Sequence, residues 1–429
     1  MSIFNFYFKF SAGKTKKKAV RRYGNIPPLS NNVKTDHAIV GHFVRQIIGS
    51  RLSTDQAPVF HQIVNDVFSG LPKVNSYNSM IDKNGSGNKQ PLREIVEQVA
   101  TEAGLVTNCG KWLDKCMQIY DIARVSSGVI LAGPSGVGKS KALRTLVDAL
   151  ISVALPNSGH AEAHLEMTTP DTLAGLAHRI QKLYPLVSDD CATIFGRLLH
   201  DGNWKDGVFN EILKKANRNE SVTWLCLDGP LESVWTEYFA GILDKRKVFT
   251  FGNGDQLFIG PKVRVVFETD SVVSASPATI TRMGVVYFDM EPTAWVPTAT
   301  VWLASQTEMC QRVLEPAFQR TFEYVFQFLA EHKPVLQCTN ELGLLASCLS
   351  LLGALIADNQ SLTQDTHLER LFIFSVISSF GTVLAETDHK QFGDGLKNIT
   401  GVLPDDDREI SVFDYYVDET GEWDTWVTK

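Results

Sequence analysis

The stretch Gly133-Pro134-Ser135-Gly136-Val137-Gly138-Lys139-Ser140 matches the phosphate-loop pattern GxxxxGK[ST] at every fixed position. An apolar run over 129–132 predicts a strand before it, and residues 141–154 predict a helix after it. The glycines let successive backbone N–H groups face a β-phosphate, assisted by the positive end of the helix. Lys139 can reach the β- and γ-phosphates, and the Ser140 hydroxyl can ligate Mg²⁺. The sequence therefore predicts a site for ATP or ADP with Mg²⁺.

Runs of β-forming residues recur around this loop, with helical or irregular stretches between most of them. They cover residues 128–132, 163–167, 223–227, 263–267 and 285–288. Near-continuous apolar strands separated by helices predict a parallel sheet that is covered on both faces. Asn253-Gly254 lies between two alternating apolar runs, which predicts a β-hairpin inserted before the fourth strand.

Helical patterns flank this α/β region on both sides. Before it, helices are predicted at 38–48, 57–68, 92–103 and 111–123, with a loop rich in Asn, Ser, Lys and Gly at 73–91. After Pro292, long helical segments near 305–332, 340–357 and 365–387 predict a second domain.

Composition excludes several classes of protein. With 429 residues, 44% hydrophobic and 21% charged, the chain has an ordinary globular composition and room for two or three domains. A net charge of −7 argues against a protein built to grip nucleic acid. Seven cysteines without a CxxC pair predict reduced thiols in the cytosol. Two apolar stretches, 342–356 and 371–385, fall short of the roughly 20 residues that a membrane span needs, so buried helices are predicted.

The first 35 residues differ in composition from the rest. No acidic residue precedes Asp36, whereas eight basic residues do: Lys9, Lys14, Lys16, Lys17, Lys18, Arg21, Arg22 and Lys34. The basic run follows the aromatic stretch 4–10, which is the reverse of the order in a secretory signal, so export is not predicted. A transit peptide shares this charge bias, but we interpret residues 1–35 as a basic, flexible tail.

A second candidate site lies at Asp228, which ends the apolar run Trp224-Leu-Cys-Leu. A carboxylate at the end of such a strand is expected to hold Mg²⁺ through water. In many ATPases of this class the next residue is a Glu that orients the attacking water, whereas here it is Gly229. Losing that base commonly costs about 10²- to 10⁴-fold in rate, so we expect ATP binding with little or no hydrolysis. Glu232 is the alternative base.

Arg282 is a third candidate. It lies in Ala275-Ser-Pro-Ala-Thr-Ile-Thr-Arg282-Met-Gly284, a polar, turn-prone segment before the last predicted strand. A guanidinium presented outward there could stabilise phosphate charge in the site of a neighbouring subunit. The residues alone equally allow a surface arginine, or an ion pair with Glu268 or Asp270.

Taken together, these motifs resemble the AAA+ ATPase family and, more closely, the second AAA+ module of dynein heavy chains. The resemblance is carried by residues 37–72, 128–140 and 275–284 and by the strings Trp204-Lys-Asp-Gly-Val-Phe, Leu227-Asp-Gly-Pro230, Trp295-Val-Pro, Phe372-Ile-Phe-Ser-Val-Ile and Phe413-Asp-Tyr-Tyr-Val-Asp with Gly421-Glu-Trp. The Asp-Gly-Pro and Ser-Pro-Ala-Thr-x-x-Arg strings are more specific than the phosphate loop, which many families share.

The resemblance implies a fold and a division into domains. The fold is an α/β AAA+ core with a five-stranded parallel sheet in the order 5-1-4-3-2 and a β-hairpin insert, followed by an α-helical lid domain. The expected divisions are a tail at 1–35, a helical connection and loop at 36–91, the nucleotide-binding core at 92–290, the lid at 291–400 and a connection towards a following module at 401–429.

The resemblance also implies a function. Second modules are generally regarded as binding ATP without turning it over, and Arg282 would act in trans as an arginine finger on the nucleotide of the preceding module. The adenine would lie against Leu105 and Val106. Implied partners are neighbouring AAA+ modules of the same chain and, through the full motor, microtubules and dynein intermediate and light chains, with no nucleic acid and no membrane span. The implied location is the cytoplasmic cytoskeleton, and Phe413-Asp-Tyr-Tyr favours a ciliary or flagellar axoneme.

Departures from the family pattern keep other interpretations open. An Asn is usual at the tip of the fourth strand, where this chain has Glu268-Thr269-Asp270, and the sequence assigns no arginine as the phosphate-sensing residue of the lid. The resemblance implies a heavy chain in which six AAA+ modules form a ring. One module cannot form that ring alone, so the chain is either a piece of a longer heavy chain or a separate protein. The alternatives are a stand-alone AAA+ ATPase that remodels a protein partner and an interaction scaffold built on residues 315–399.

Overall fold

A computed structural model describes residues 41, 44–53, 55–68, 80–82, 89–105, 112–154, 176–185, 191–244, 246–290, 294–332, 334–335, 340–358, 364–404 and 411–426. The chain divides into two compact units: most of it up to Asp289 forms the first, and Met290–Lys429 forms most of the second. The short segments Gly104–Cys109 and Ser135–Val137 group with the second unit. The predicted tail at 1–35 lies outside the described residues.

A parallel sheet of five strands forms the centre of the first unit. The strands are β1 (Gly128–Ala132), β2 (His178–Leu183), β3 (Val222–Asp228), β4 (Val263–Thr269) and β5 (Gly284–Tyr287). Their order across the sheet is β5-β1-β4-β3-β2, and every neighbouring pair is parallel. The predicted order 5-1-4-3-2 is therefore confirmed.

The second strand of the sheet differs from the one expected. The run at 163–167 lies outside the described residues, and the position beside β3 is taken by β2, whose register runs from His178 opposite Val222 to Leu183 opposite Leu227. Strand β2 is an edge strand, and most of its side chains are only partly buried. Its sequence HRIQKL therefore carries no continuous apolar run that pattern analysis could detect.

Helices cover both faces of the sheet. In the first unit they are α1 (Gln56–Val67), α2 (Leu92–Glu102), α3 (Trp112–Val125), α4 (Lys139–Ala154), α5 (Cys191–Phe195), α6 (Val208–Arg218), α7 (Ser233–Thr236), α8 (Ala240–Leu243) and α9 (Pro277–Arg282). In one cluster of buried residues Phe209 of α6 packs against Phe239, which packs against Phe267 of β4, while α2 and α3 pack with α4. The helices expected at 57–68, 92–103 and 111–123 are confirmed to within two residues at each end.

Ser50 and Arg51 tie the segment that precedes α1 to the edge of the sheet. The Ser50 hydroxyl donates to the carbonyl oxygen of Val285 at 2.7 Å, and the Tyr287 N–H donates to the carbonyl oxygen of Ser50 at 2.8 Å. The Arg51 guanidinium donates to the carbonyl oxygen of Met283 at 3.2 Å. These bonds satisfy backbone groups of β5 that would otherwise form an open sheet edge.

The first unit also contains short antiparallel pairs of strands. Val248–Thr250 pairs with Gln256–Phe258, and Gly254 has a φ of 89° in the turn, which confirms the predicted hairpin. Met80–Asp82 pairs with Lys89–Pro91 where the sequence predicted only a loop, because three-residue strands are too short to show alternation. A third pair joins Gly196–Leu198 to Trp204–Asp206.

The second unit is helical apart from one hairpin near its end. Its helices are α10 (Trp295–Ala304), α11 (Glu308–Glu331), α12 (Glu341–Asp358), α13 (Asp365–Phe380) and α14 (Glu386–Thr400). The predicted helices near 305–332 and 340–357 match α11 and α12, whereas the segment 365–387 ends earlier and α14 follows. The hairpin pairs Tyr415–Val417 with Trp423–Thr425, and the Trp423 indole donates to the carbonyl oxygen of Val402 at 2.7 Å. Among the described helices, none is long and apolar enough to cross a bilayer.

Three buried cysteines give a test of this packing. Burial raises the pKa of Cys116 to about 12 and also raises the pKa values of Cys226 and Cys348. A thiol with a pKa near 12 is about 10⁻⁴ thiolate at pH 8, and the thiolate is the reactive form. We expect iodoacetamide at pH 8 to leave all three cysteines unmodified in the folded chain and to modify them in ~6 M guanidinium. Alkylation of Cys116 in the native chain within minutes, mapped by mass spectrometry, would contradict this core.

Candidate nucleotide-binding site

The phosphate loop leaves the sheet at Gly133, which follows β1 directly. Gly133 has a φ of 145°, and its N–H donates to the carbonyl oxygen of Thr269 at 3.2 Å. A Cβ atom at this position would lie 2.0 Å from the carbonyl oxygen of Phe288. Only glycine fits here, because both the backbone conformation and the neighbouring backbone exclude a side chain.

The end of the loop is supported by an aromatic side chain that sequence reasoning did not assign to the site. The Trp112 indole N–H donates to the carbonyl oxygen of Gly138 at 3.3 Å. Gly138 has a φ of 89°, and a Cβ atom there would lie 2.8 Å from Trp112 Nε1. The sequence showed Trp112 only as one apolar position of a helix; nothing in that pattern points to the loop.

Lys139 is held inside the loop. Its side chain is 7% exposed, and its ammonium group donates to the carbonyl oxygens of Gly133 and of Pro134, the latter at 2.9 Å. It also forms an ion pair with Asp270, with Nζ 3.0 Å from Oδ1. Asp270 is 69% exposed, so this carboxylate lies at the open side of the ammonium group. Asp270 therefore interacts with the loop from the tip of β4.

A cluster of charged side chains lies at the carboxyl ends of β3 and β4. The Ser140 hydroxyl donates to Glu268 Oε1. The Lys182 ammonium group lies 3.4 Å from Glu268 Oε2 and 3.4 Å from Asp228 Oδ2. The structure thus brings the predicted residues Lys139, Ser140 and Asp228 into one site, and it adds Glu268 and Lys182.

Lys182 was missed because its strand was missed. It lies on β2 opposite Cys226 of β3, and the parallel register brings its side chain towards the strand end where Asp228 lies. Glu268 lies opposite Asp228 in the register of β4 with β3. The signal that could have found Lys182 is a basic residue near the end of a polar edge strand, and a single sequence does not distinguish that from a solvated lysine.

The pKa values of the cluster follow from burial and charge. Burial raises the pKa of Asp228, and the neighbouring Glu268 carboxylate raises it further, while Lys182 opposes both. Burial acts to lower the pKa of Lys182, but the Glu268 carboxylate and other neighbours outweigh it, so the pKa lies above its ordinary value. Burial, aided by Glu268, raises the pKa of the Cys226 thiol.

The position after Asp228 has no room for a side chain. A Cβ atom at Gly229 would lie 2.8 Å from the carbonyl oxygen of Pro185, and the Gly229 N–H donates to the carbonyl oxygen of Glu268 at 2.9 Å. The alternative base, Glu232, is half-buried, and no described contact joins its carboxylate to Lys139 or Asp228. Within the described part of the chain, neither position supplies a carboxylate to the loop.

Arg282 is the last residue of α9, a helix that Ser276 caps by accepting from the Thr279 N–H. Its side chain is exposed, and Nη1 donates to the carbonyl oxygen of Ala278 at 3.4 Å. The described residues place no carboxylate within ion-pair distance of it, so the suggested pairs with Glu268 or Asp270 do not form. Arg282 is thus presented outward.

The expected adenine contacts stay a prediction. Leu105 is half-buried and follows Gly104, which has a φ of 70°, whereas Val106 lies outside the described residues. Leu105 groups with the second unit, while Lys139 and Ser140 belong to the first.

The expected Mg²⁺ ligands are only partly suited to a metal. A hydroxyl and a carboxylate, here Ser140 and Asp228, are oxygen donors of the kind that Mg²⁺ prefers. Both are engaged, however: Ser140 donates to Glu268, and Asp228 lies 3.4 Å from the Lys182 ammonium group. The described residues contain no group of three or more His, Cys, Asp or Glu arranged to hold a metal. The Lys182 ammonium group thus lies beside one of the two expected ligands, Asp228.

Two family models match the chain. The model described as "Hydrolytic ATP binding site of dynein motor region" matches residues 14–140, and "Dynein heavy chain AAA lid domain" matches residues 314–428. The first match ends at Ser140, so it includes the phosphate loop but neither Asp228 nor Gly229.

Curated relatives are similar over most of the chain. Dynein axonemal heavy chain 5 of Rattus norvegicus is 27% identical over 92% of this chain and 11% of its own length. Dynein axonemal heavy chain 8 of Homo sapiens is 28% identical over 91% of this chain and 8% of its own. The dynein gamma chain of the flagellar outer arm of Chlamydomonas reinhardtii is 27% identical over 92% of this chain and 8% of its own length. The chain thus spans about a tenth of the length of these relatives.

Proposed function

Because the chain belongs to the AAA+ modules of dynein heavy chains, we propose that it binds ATP and retains it with little or no hydrolysis. The observation that carries this proposal is the environment of Gly229. The family's usual base follows the carboxylate at the end of the third strand, and here the Cβ position lies 2.8 Å from the Pro185 carbonyl oxygen. Without a base to orient water, the hydrolysis rate falls by about 10²- to 10⁴-fold.

The phosphate loop supports the binding half of the proposal. Lys139 is already held within it by the Gly133 and Pro134 carbonyl oxygens. The exposed Asp270 carboxylate is its third partner, and in our proposal a phosphate oxygen of bound ATP takes that place. The loop therefore needs little rearrangement of Lys139 to bind nucleotide, because the ammonium group is already positioned.

The larger assembly is also part of the proposal. The relatives named above are axonemal and flagellar heavy chains, which supports a place for this module in an axonemal dynein, a microtubule motor of cilia or flagella. Its partners would be neighbouring AAA+ modules of the same heavy chain and, through the whole motor, microtubules and smaller dynein chains. The exposed Arg282 supports a second role, as an arginine finger towards the nucleotide of the preceding module.

Nucleotide content and turnover test the proposal. We expect the purified chain to bind ATP and to keep it unhydrolysed for hours, as measured by chromatography of the nucleotide released on denaturation. Lys139→Ala removes a charged hydrogen-bond donor, and we expect ATP affinity to fall by about 100-fold, equivalent to ~2.7 kcal/mol. Lys141→Ala is the matched control, because Lys141 is an exposed lysine of the same helix.

Two results would contradict the proposal in different ways. Rapid hydrolysis by the wild-type chain that is lost in Lys139→Ala would reject retention without turnover and favour a stand-alone ATPase. Equal nucleotide content and equal thermal stability in wild type and Lys139→Ala would reject nucleotide binding at this loop, since saturating ATP at about 100 times its Kd should stabilise the wild type by roughly 2.7 kcal/mol.

A further inference from the structure

The lysine on the edge strand lies between the two carboxylates at the carboxyl ends of β3 and β4. The Lys182 Nζ atom is 3.4 Å from an oxygen of Asp228 and 3.4 Å from an oxygen of Glu268. The parallel pairing of β2 with β3 fixes this position, because Lys182 lies opposite Cys226, two residues before Asp228. The ammonium group is therefore held by the sheet itself.

Burial makes this cation necessary to the site. Glu268 is 2% exposed, and its other described partners are the Ser140 hydroxyl and the Cys226 thiol, which carry no positive charge. A buried carboxylate without a cation is strongly unfavourable. Among the described residues, Lys182 is the one cation within ion-pair distance of Glu268.

The position of this ammonium group would oppose a second cation at Asp228. A divalent cation bound to Asp228 would lie close to the Lys182 charge, and the two positive charges would repel each other. Ser140, the other expected ligand, is engaged by Glu268. Both expected oxygen ligands therefore have protein partners, and Lys182 offsets one of the two negative charges that would attract a metal.

We propose that Lys182 is a specificity-determining residue of the nucleotide site, whose ammonium group replaces a divalent cation beside Asp228 and Glu268, so that ATP binding here depends little on Mg²⁺. The inference rests on the proposed nucleotide binding and deepens it. It also accounts for a site that retains nucleotide, because a fixed ammonium group supplies one positive charge but cannot act as a Lewis acid in hydrolysis as a bound metal can.

ATP affinity with and without the metal tests the proposal. Titration calorimetry of the full chain would be run in Mg²⁺ and in EDTA, for the wild type and for Lys182→Met, which keeps an unbranched stem and removes the charge. We expect the wild-type Kd to differ by less than about tenfold between the two buffers. In Lys182→Met the unbalanced carboxylates repel the triphosphate, so we expect the Kd in EDTA to exceed the Kd in Mg²⁺ by more than about 100-fold.

Lys205→Met is the matched control, because Lys205 is an exposed strand lysine without a role in the cluster. Its ratio of the ATP Kd in EDTA to the ATP Kd in Mg²⁺ should equal that of the wild type. A wild-type ratio of about tenfold or more would overturn the role of Lys182, and this arm needs no variant to fold. A folded Lys182→Met chain whose ratio of the Kd in EDTA to the Kd in Mg²⁺ equals that of the wild type would also overturn this role. Absence of ATP binding by the wild type in both buffers would instead reject the proposed function itself, and this inference with it.

Discussion

In a complete motor of the kind proposed above, replacing Arg282 by alanine is expected to slow ATP hydrolysis at the preceding module's site by about 10³-fold or more. The physical reason is that a guanidinium supplied from a neighbour stabilises the charge that develops on the transferred phosphoryl group. Arg282 suits this role because its side chain is exposed at the end of α9 and its one partner among the described residues is the Ala278 carbonyl oxygen of its own turn. The measurement is the single-turnover hydrolysis rate at the preceding site.

Two further variants distinguish an arginine-finger role of Arg282 from the effect of a general surface charge. Arg282→Lys keeps the charge but not the planar fork, so we expect it to recover only part of the rate. Arg197→Ala removes another exposed arginine of the first unit and should leave the rate unchanged. A motor with Arg282→Ala that hydrolyses ATP at the wild-type rate would reject the role.

The second large effect is expected from Gly133→Ala. A Cβ atom there would lie 2.0 Å from the Phe288 carbonyl oxygen, at a φ of 145° that side-chain-bearing residues rarely adopt. Such backbone strain costs about 1–3 kcal/mol and overpacking about 1–3 kcal/mol more. We expect the melting temperature of the isolated chain to fall by about 3–10 °C, measured by scanning calorimetry, and ATP affinity to fall with it.

Gly254→Ala is the control for backbone conformation alone. Gly254 has a φ of 89° in the hairpin, and a Cβ atom there meets nothing within 4 Å. We expect a loss of about 1–2 kcal/mol and unchanged ATP binding. Equal losses in the two variants would show that the close contact between Gly133 and Phe288 contributes nothing.

The sequence predicted the centre of this fold well, because its central strands are buried on both faces. Trp224 and Leu225 face opposite sides of the sheet, and both are inaccessible to solvent. Such strands read as apolar runs, and a strand, a glycine loop and a helix in succession predict the phosphate loop directly. Edge strand β2 and the polar helix α14 carry weaker patterns, since fewer of their side chains are buried.

Only part of the candidate site could be predicted, because motif positions can be recognised in a sequence whereas packing contacts cannot. Lys139, Ser140 and Asp228 occupy motif positions, where the residue type itself indicates the chemistry. Lys182, Glu268 and Trp112 enter the site through strand register and packing between segments far apart in the chain. Contacts of that kind depend on which strands become neighbours, and one sequence does not state this.

The bonds that join Ser50 to β5 form a route for mechanical force. Val285 and Tyr287 accept and donate these bonds, and Tyr287 lies opposite Ala132, the residue before the phosphate loop, in the register of β5 with β1. A pull on the segment ahead of Ser50 enters the sheet at its edge and reaches the loop through a single strand. If such a pull displaces β5, we expect the phosphate loop beside it to bind nucleotide less tightly, and by the reciprocity of linked equilibria bound nucleotide should then resist the displacement.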